Sequence, residues 1–431
     1  MILEQVVPRR DSVEVDDLLC VLHDAPRDHA EPFHATRIEF SAEVSRRIFD
    51  HPPARAFPEL LAAAYWLRRA EVSRLAQQFS DLEAEGSMRA PRGLAFHMPP
   101  ANVDTMFMYP LIASFLVGNL NVVRVSRAHF SPQVEVMCEV LDAVLNEVRF
   151  AEFAHELSVI SYDHEPEPTA AFSAAADVRL LWGGDRTVAG LRAVPIRPDT
   201  HELTFGDRFS FAVLRPEAVL DADPESRATL AERLFRDTYW FDQLACASPR
   251  LLVWVGPEAK VDEARRLLME DLARVIEVRG YRLAPGPAIG KLTFTCQSLI
   301  DRPVERVHQF GDNLVVIGLK DLSGFDRTHP GFGLFFDARV DELADLVSFV
   351  VGKDQTVVSH GFSNEELTTF ARSLHGRGVD RIVGLGDALS FGRFWDGYDL
   401  LAELTRTIHV VEAPDVPQAA GVEQAIASSL H

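Results

Sequence analysis

The sequence predicts an α/β fold built on two parallel-type sheets. Strand–helix–strand patterns recur in both halves of the chain, short β-forming apolar runs end at Gly or Pro, and amphipathic helical stretches separate them. Residues 93–132 show one such unit. An apolar run from Gly93 to Phe96 meets Pro99 and Pro100, a helical stretch continues to about Val117, Gly118 and Asn119 turn the chain, and NVVRVS forms a second strand. Units of this kind build parallel sheets, because parallel strands need a crossover between them.

The elements follow in order. Residues 1–56 hold short charged segments and Pro52–Pro53 without a clear period, which suggests an edge extension or packing arm. Residues 57–79 read as one amphipathic helix, with Leu60, Leu61, Ala64, Leu67, Ala70 and Leu75 as its apolar stripe. After the 93–132 unit, in which Asn102 and Asp104 can cap the helix, come a helix over 132–147 and a strand over 159–163. Residues 178–194 give a strand, then Gly183, Gly184 and Asp185, then a helix. Two glycines there allow close backbone approach by a phosphate, or simply a tight turn. Residues 201–214 give two short β-like runs. Asp223, Pro224 and Glu225 start a helix whose one face carries Leu230, Leu234, Phe235 and Thr238.

LLVWV at 251–255 is a buried strand ending at Gly256 and Pro257, and 258–275 is a helix. Residues 276–330 look rich in strands and loops. The stretch 337–352 reads as a helix, 355–362 as a strand, 364–374 as a helix and 380–386 as a strand. An aromatic, Gly-containing loop around Trp395–Asp396–Gly397–Tyr398–Asp399 leads into a last helix and strand, and the tail from Pro414 is weakly patterned. That loop reads as interdomain packing or as closure of a channel.

Composition narrows the function. The 431 residues suffice for two or three domains, and 47% hydrophobic with 25% charged residues is ordinary for a globular protein. No stretch reaches the roughly 20 apolar residues of a membrane span. The first residues, MILEQVVPRRDSVEVDD, lack a signal-peptide core. Cys20, Cys138, Cys246 and Cys296 are scattered and form no CxxC, so neither a metal site nor a disulfide framework is expected, and a reducing, cytoplasmic setting fits. A net charge of −21 argues against nucleic acid as a partner. An anionic cofactor would then depend on local basic groups or helix N-termini.

Among the cysteines, Cys246 stands out. A lone cysteine is commonly a small buried hydrophobe. This one sits in FDQLACASPR (241–250), a polar turn stiffened by Pro249 between a helix and a strand, where a thiol can face a cleft and backbone N–H groups can stabilise negative charge.

Four stretches together resemble the fatty-acyl-CoA reductase (LuxC-type) family of the aldehyde dehydrogenase-like superfamily: FDQLACASP, PPANVD…LVGNLNVVRVS, LLWGGD…HELTFGDRFSFAVL and RIVGLGDALSFGRFWDGYDLLAELTR. They occur in the family's order over roughly residues 57–410. The resemblance implies a Rossmann-type cofactor domain with an N-terminal arm (1–215), an α/β catalytic domain carrying Cys246 (216–385), and a C-terminal return segment with an oligomerisation strand (386–431). It implies NAD(P)H-dependent reduction of an acyl-CoA or acyl-carrier-protein thioester to an aldehyde, by a homo-oligomer.

Cys246 matches the family's nucleophile, and Asn102 matches the amide that helps form an oxyanion hole. Arg124 and Ser126 lie where the superfamily has a Lys-Pro-Ser at the adenine ribose, and Arg124 in place of Lys favours a 2′-phosphate, hence NADPH with NADH as the other possibility. Gly183 and Gly184 match the turn beside the pyrophosphate and nicotinamide. Oxidative relatives carry a Glu-Leu-Gly-Gly run whose Glu activates water. Here the aligned residues are Leu203, Thr204, Phe205 and Gly206, with Glu202 displaced; Glu202 and His201 remain candidates to assist. Two other readings stay open, an acid-forming NAD(P)-dependent aldehyde dehydrogenase and a non-catalytic acyl-binding subunit.

Overall fold

Short, largely apolar runs such as FSFAVL (209–214) suit strands covered on both faces, and the computed structural model bears this out. It describes residues 1–83, 86–100, 103–126, 130–162 and 165–411. In chain order the strands are β1 (Ile2–Val7), β2 (Arg10–Glu14), β3 (Ser87–Pro91), β4 (Leu94–Met98), β5 (Leu120–Val125) and β6 (Leu157–Ser161). Then come β7 (Val178–Trp182), β8 (His201–Phe205), β9 (Phe209–Leu214), β10 (Pro249–Val255), β11 (Val304–Phe310) and β12 (Leu314–Leu319). The last are β13 (Leu334–Val340), β14 (Asp354–His360), β15 (Arg381–Gly384), β16 (Phe394–Trp395), β17 (Tyr398–Asp399) and β18 (Thr405–His409).

Two seven-stranded sheets result among the described residues. The first runs β2-β1-β6-β5-β4-β7-β8 and the second β11-β12-β13-β10-β9-β14-β15. In the first, β4 to β8 are parallel, and β1 joins β6 antiparallel. From β4 the chain winds out through β5 and β6, then returns to the other side for β7 and β8. The order therefore reverses between β4 and β7, and the crevice at the carboxyl ends of such strands is where open α/β sheets bind ligands. The first sheet uses residues between 2 and 205, the second residues between 209 and 384, so β9 falls with the second sheet although it precedes residue 215.

In the second sheet, alternation splits β10 between two cores. Leu252 and Trp254 pack with Leu230, Leu234 and Leu268 of the helices Pro224–Tyr239 and Glu258–Val278, while Leu251, Val253 and Val255 pack with Phe336 and Phe370 on the other face. Two short antiparallel pairs, β16–β17 and β3–β18, complete the strands. Among the described residues no helix is long and apolar enough to cross a membrane, and all four cysteines are free thiols.

Three expected elements differ. The helix over 57–79 is two, Pro58–Trp66 and Arg69–Ser80, with Arg68 extended between them. Buried Ser45 and Ser41 donate to the Ala64 and Leu67 carbonyls at the break, at 2.6 and 3.1 Å, and so take up groups a continuous helix would satisfy itself. Within 276–330 lies a helix, Pro285–Asp301. Its buried residues are Lys291, Thr295 and Ser298, whereas Ile289, Leu292, Leu299 and Ile300 are exposed, so its polarity runs opposite to the usual pattern. The stretch 337–352 is not a helix: it continues β13 and then makes a short 3-10 turn, Leu343–Val347. Asp337, buried inside β13, accepts from Trp254 Nε1 and Arg265 at 2.8 and 2.9 Å and from Arg306 at 2.7 Å, which lets a charge sit in a central strand. Residues 1–56, where no period is visible, contain β1, β2 and the helices Val15–His23 and Ala35–Asp50.

Candidate active site

The Pro224–Tyr239 helix begins as its sequence suggests, with Asp223 accepting from the Ser226 N–H at 2.8 Å. It ends in two consecutive left-handed residues, Asp242 (φ 51°) and Gln243 (φ 60°), which turn the chain sharply toward β10. The turn is pinned from several sides. Fully buried Gln243 donates through Nε2 to the Pro249 carbonyl at 2.9 Å and accepts the Gly333 N–H at 3.1 Å. Asp242 accepts the Tyr281 hydroxyl at 2.5 Å and, at its carbonyl, the Phe332 N–H at 2.7 Å. Lys291, from the inverted helix, donates to the Asp312 and Phe332 carbonyls at 2.5 and 2.8 Å. Its burial lowers the ammonium pKa to about 8.

Cys246 is held at the end of this scaffold. Its carbonyl accepts the Ser210 hydroxyl of β9 at 2.7 Å. Burial pushes its thiol pKa up, and Asp396 pushes the same way, while the Arg250 guanidinium and the Arg208 backbone N–H favour the thiolate. Arg250 itself is tied to the Arg208 and Leu244 carbonyls at 3.2 and 3.3 Å.

Cys246 lines a cavity of about 430 Å³ lying between the two sheets. Pro100, after β4, and Gly183 and Gly184, after β7, line the same cavity, so it opens at the point where the strand order of the first sheet reverses. Gly183 has φ 151°, a conformation that favours glycine, and a Cβ at Gly184 would meet nothing within 4 Å. Trp182 stacks on Phe205 with centroids 3.6 Å apart, and its buried indole Nε1 has no hydrogen-bond partner among the described residues. An open glycine turn at a helix N-terminus beside an orphaned donor fits an anionic cofactor with a polar ring system.

The expected site residues separate into groups. Cys246, Gly183 and Gly184 share the cavity. Arg124 and Ser126 line a small neighbouring cleft of about 40 Å³ that also includes Pro100, and Arg124 donates to the Tyr162 carbonyl at 3.1 Å. Glu202 is not among the residues lining the cavity. Its carboxylate is held by buried Arg179 (2.9 Å to Nε) and by Arg192 (3.0 Å), and His201 pairs with Glu403 at 2.7 Å. Asn102 lies outside the described residues.

Sequence reasoning missed several cavity residues. Arg250 follows the cysteine turn directly but reads there only as a strand-end charge. His329, Lys353 and Asp207 come from separate loops with no motif between them. Asp396 lies within the aromatic loop, which reads in the sequence as interdomain packing or closure of a channel and not as a source of a catalytic group.

Comparison with known proteins places this geometry. Residues 71–280 match the acyl-CoA reductase (LuxC) family model. No curated protein matches the chain in sequence. Solved structures share the fold at low identity. A candidate aldehyde dehydrogenase from Burkholderia cenocepacia superimposes with TM-score 0.64 at 15% identity, over 95% of this chain and 97% of that one. Aldehyde dehydrogenase 21 from Physcomitrella patens gives 0.64 at 11%, over 91% and 89%. Methylmalonate-semialdehyde dehydrogenase from Oceanimonas doudoroffii gives 0.63 at 13%, over 93% and 91%. The chain thus has the aldehyde dehydrogenase-like fold and, over residues 71–280, matches the acyl-CoA reductase (LuxC) family.

Proposed function

We propose that the protein reduces an acyl thioester, of coenzyme A or a carrier protein, to an aldehyde through an acyl-enzyme on Cys246. The observation that carries this reading is the shared cavity: the pinned Cys246 and the Gly183–Gly184 turn line one pocket at the reversal point of the first sheet. Cys246 attacks the acyl carbon and expels the thiol. Its own N–H and the Asn102 amide stabilise the oxyanion, and one such donor is typically worth about 3 kcal/mol. Gly183 and Gly184 would hold the pyrophosphate of a nicotinamide cofactor, and Arg124 and Ser126 its adenosine end, with Arg124 favouring NADPH over NADH. When bound, the reduced cofactor supplies hydride to the acyl carbon, and the resulting thiohemiacetal collapses to aldehyde and the Cys246 thiolate.

Hydrolysis to acid needs a base on water. Glu202, nearest in sequence to that role, has its carboxylate taken by Arg179 and Arg192, which favours reduction over acid formation. We further propose that the enzyme is cytoplasmic, that the chain divides into a cofactor part, a catalytic part and a C-terminal return, and that the β3–β18 pair, with Met88 and Ile408 exposed, supports a homo-oligomer.

The test is consumption of NADPH and of NADH, separately, with acyl-CoA esters of rising chain length and with acyl-carrier-protein thioesters. Thioester-dependent consumption with aldehyde as product, lost in Cys246→Ala, is expected. Acid formed from aldehyde with no thiol acceptor, or full activity in the alanine variant, overturns the proposal. A switch toward NADH in Arg124→Ala is the expected cofactor result.

A further inference from the structure

The second carboxylate of interest stands at the tip of a hairpin. Strands β16 and β17 are joined by Asp396 (φ 48°) and Gly397 (φ 77°), the positive-φ pair of a tight two-residue turn. The hairpin is anchored to both sheets. Arg381 of β15 lies over the Trp395 ring at 4.7 Å, Tyr398 meets Phe205 of β8 edge-on at 5.3 Å, and Arg393 joins Asp399 at 2.8 Å and the Gln78 carbonyl at 2.7 Å. A Cβ on Gly397 would come within 2.9 Å of Asp380, so the tip has little room to move. This framework presents Asp396 to the cavity that holds Cys246.

Two other titratable groups that line the cavity, Asp207 and His329, are engaged. Asp207 pairs with Lys353 at 2.5 Å. His329 donates from Nε2 to the Leu334 carbonyl at 2.9 Å and accepts the Gly331 N–H at Nδ1 at 3.0 Å, so neither ring nitrogen is available. Asp396 Oδ1, by contrast, is shut away from solvent and has no hydrogen-bond partner among the described residues.

We infer that Asp396 is the proton carrier of the Cys246 site, taking the thiol proton during attack and returning it to the departing thiol. The inference rests on the thioester reading above. As the Cys246 sulfur bonds to the acyl carbon, its S–H proton passes to Asp396. The bond between the acyl carbon and the coenzyme sulfur breaks, and that thiolate leaves with the proton from Asp396. The products are acyl-Cys246, a free thiol and the original carboxylate.

The surroundings suit this role. Burial raises the Asp396 pKa to about 7, opposed by Arg208 and Arg381 and reinforced by Asp380. An acid that titrates near neutrality both accepts and donates readily at that pH. The charges facing the pair are Arg208 and Asp207 from the β8–β9 link, Asp380 and Arg381 at β15, Arg250 after the cysteine turn, and Lys353 before β14.

The experiment compares wild type, Asp396→Asn and Asp396→Glu in two assays. One is the pH profile of Cys246 alkylation by iodoacetamide, read by peptide mass because Cys20 and Cys296 are exposed and react as well. The other is acylation of Cys246 by acyl-CoA without cofactor. Removing a neighbouring negative charge lowers the thiol pKa, so Asp396→Asn should be alkylated about 3- to 10-fold faster at pH 7.5. The same variant should be acylated roughly 100-fold more slowly, and Asp396→Glu should recover most of that loss. A thiolate that is more ionised yet slower toward thioesters is a signature that a displaced cysteine does not give. Alkylation and acylation falling together, or acylation within threefold of wild type in Asp396→Asn, overturns the inference. If wild-type Cys246 accepts no acyl group from any thioester, the function fails separately, and an unchanged alkylation profile in Asp396→Asn then rejects the coupling by itself.

Discussion

Gln243→Ala should loosen the nucleophile turn by a calculable amount. The side chain makes two buried hydrogen bonds, to the Pro249 carbonyl and from the Gly333 N–H. Each contributes about 1 kcal/mol, and a buried partner left unpaired costs roughly 1–3 kcal/mol more. These terms overlap, because Gly333 and Pro249 can relax toward the vacated space, so the expected loss is about 3 kcal/mol. Alanine also keeps the left-handed strain at φ 60°, which glycine does not feel. Gln243→Gly should therefore be less destabilised than Gln243→Ala, by about 1 kcal/mol. Urea unfolding of all three proteins measures this, and Cys246 alkylation reports on the turn itself, with a rise of tenfold or more expected in the alanine variant. An unfolding free energy within about 0.5 kcal/mol of wild type in Gln243→Ala, the scatter of neutral substitutions, would refute the view that this side chain sets the turn.

Other substitutions separate structure from chemistry. Glu202→Ala should cost about 3 kcal/mol by stranding buried Arg179, yet leave turnover per folded enzyme within threefold; a large loss of kcat with unchanged stability would contradict the structural role. Gly184→Ala should fold normally, since its Cβ meets open space, but weaken cofactor binding about tenfold by titration, whereas Gly183→Ala should lose stability because of its φ of 151°. Asp237 gives a pH signature. Burial raises its pKa to about 7 from the usual 3.8, so its contribution is fully present below about pH 4 and is lost as pH rises through 7. Stability of wild type relative to Asp237→Asn should accordingly fall between pH 4 and 7. A difference that is flat or rises across that window shows that the carboxyl is ionised in the fold.

Much of the scaffold was readable because local signals and tertiary roles agree. Asp223 caps its helix, Ser363 and Glu366 form a reciprocal capping box on the helix Asn364–Ser373, and the run at β10 is buried throughout except Arg250. The failures share a cause. The helix Pro285–Asp301 buries Lys291 and exposes Ile289 and Ile300, so apolar periodicity points the wrong way. Asp337 hides β13 behind a charge that only Trp254, Arg265 and Arg306 make tolerable, and none of these is near it in sequence. At the site, Cys246 and the glycine pair were legible from short motifs, whereas Asp396 gains its meaning from the cavity into which a hairpin brings it.

The most direct measurement is to mix the protein with an acyl-CoA in the absence of cofactor, digest it, and weigh the peptide carrying Cys246. An added acyl mass on that peptide, discharged as aldehyde when NADPH or NADH is supplied, is the predicted result. No acyl group on Cys246 from any coenzyme A or carrier-protein thioester, with the other peptides equally unmodified, would contradict the central claim.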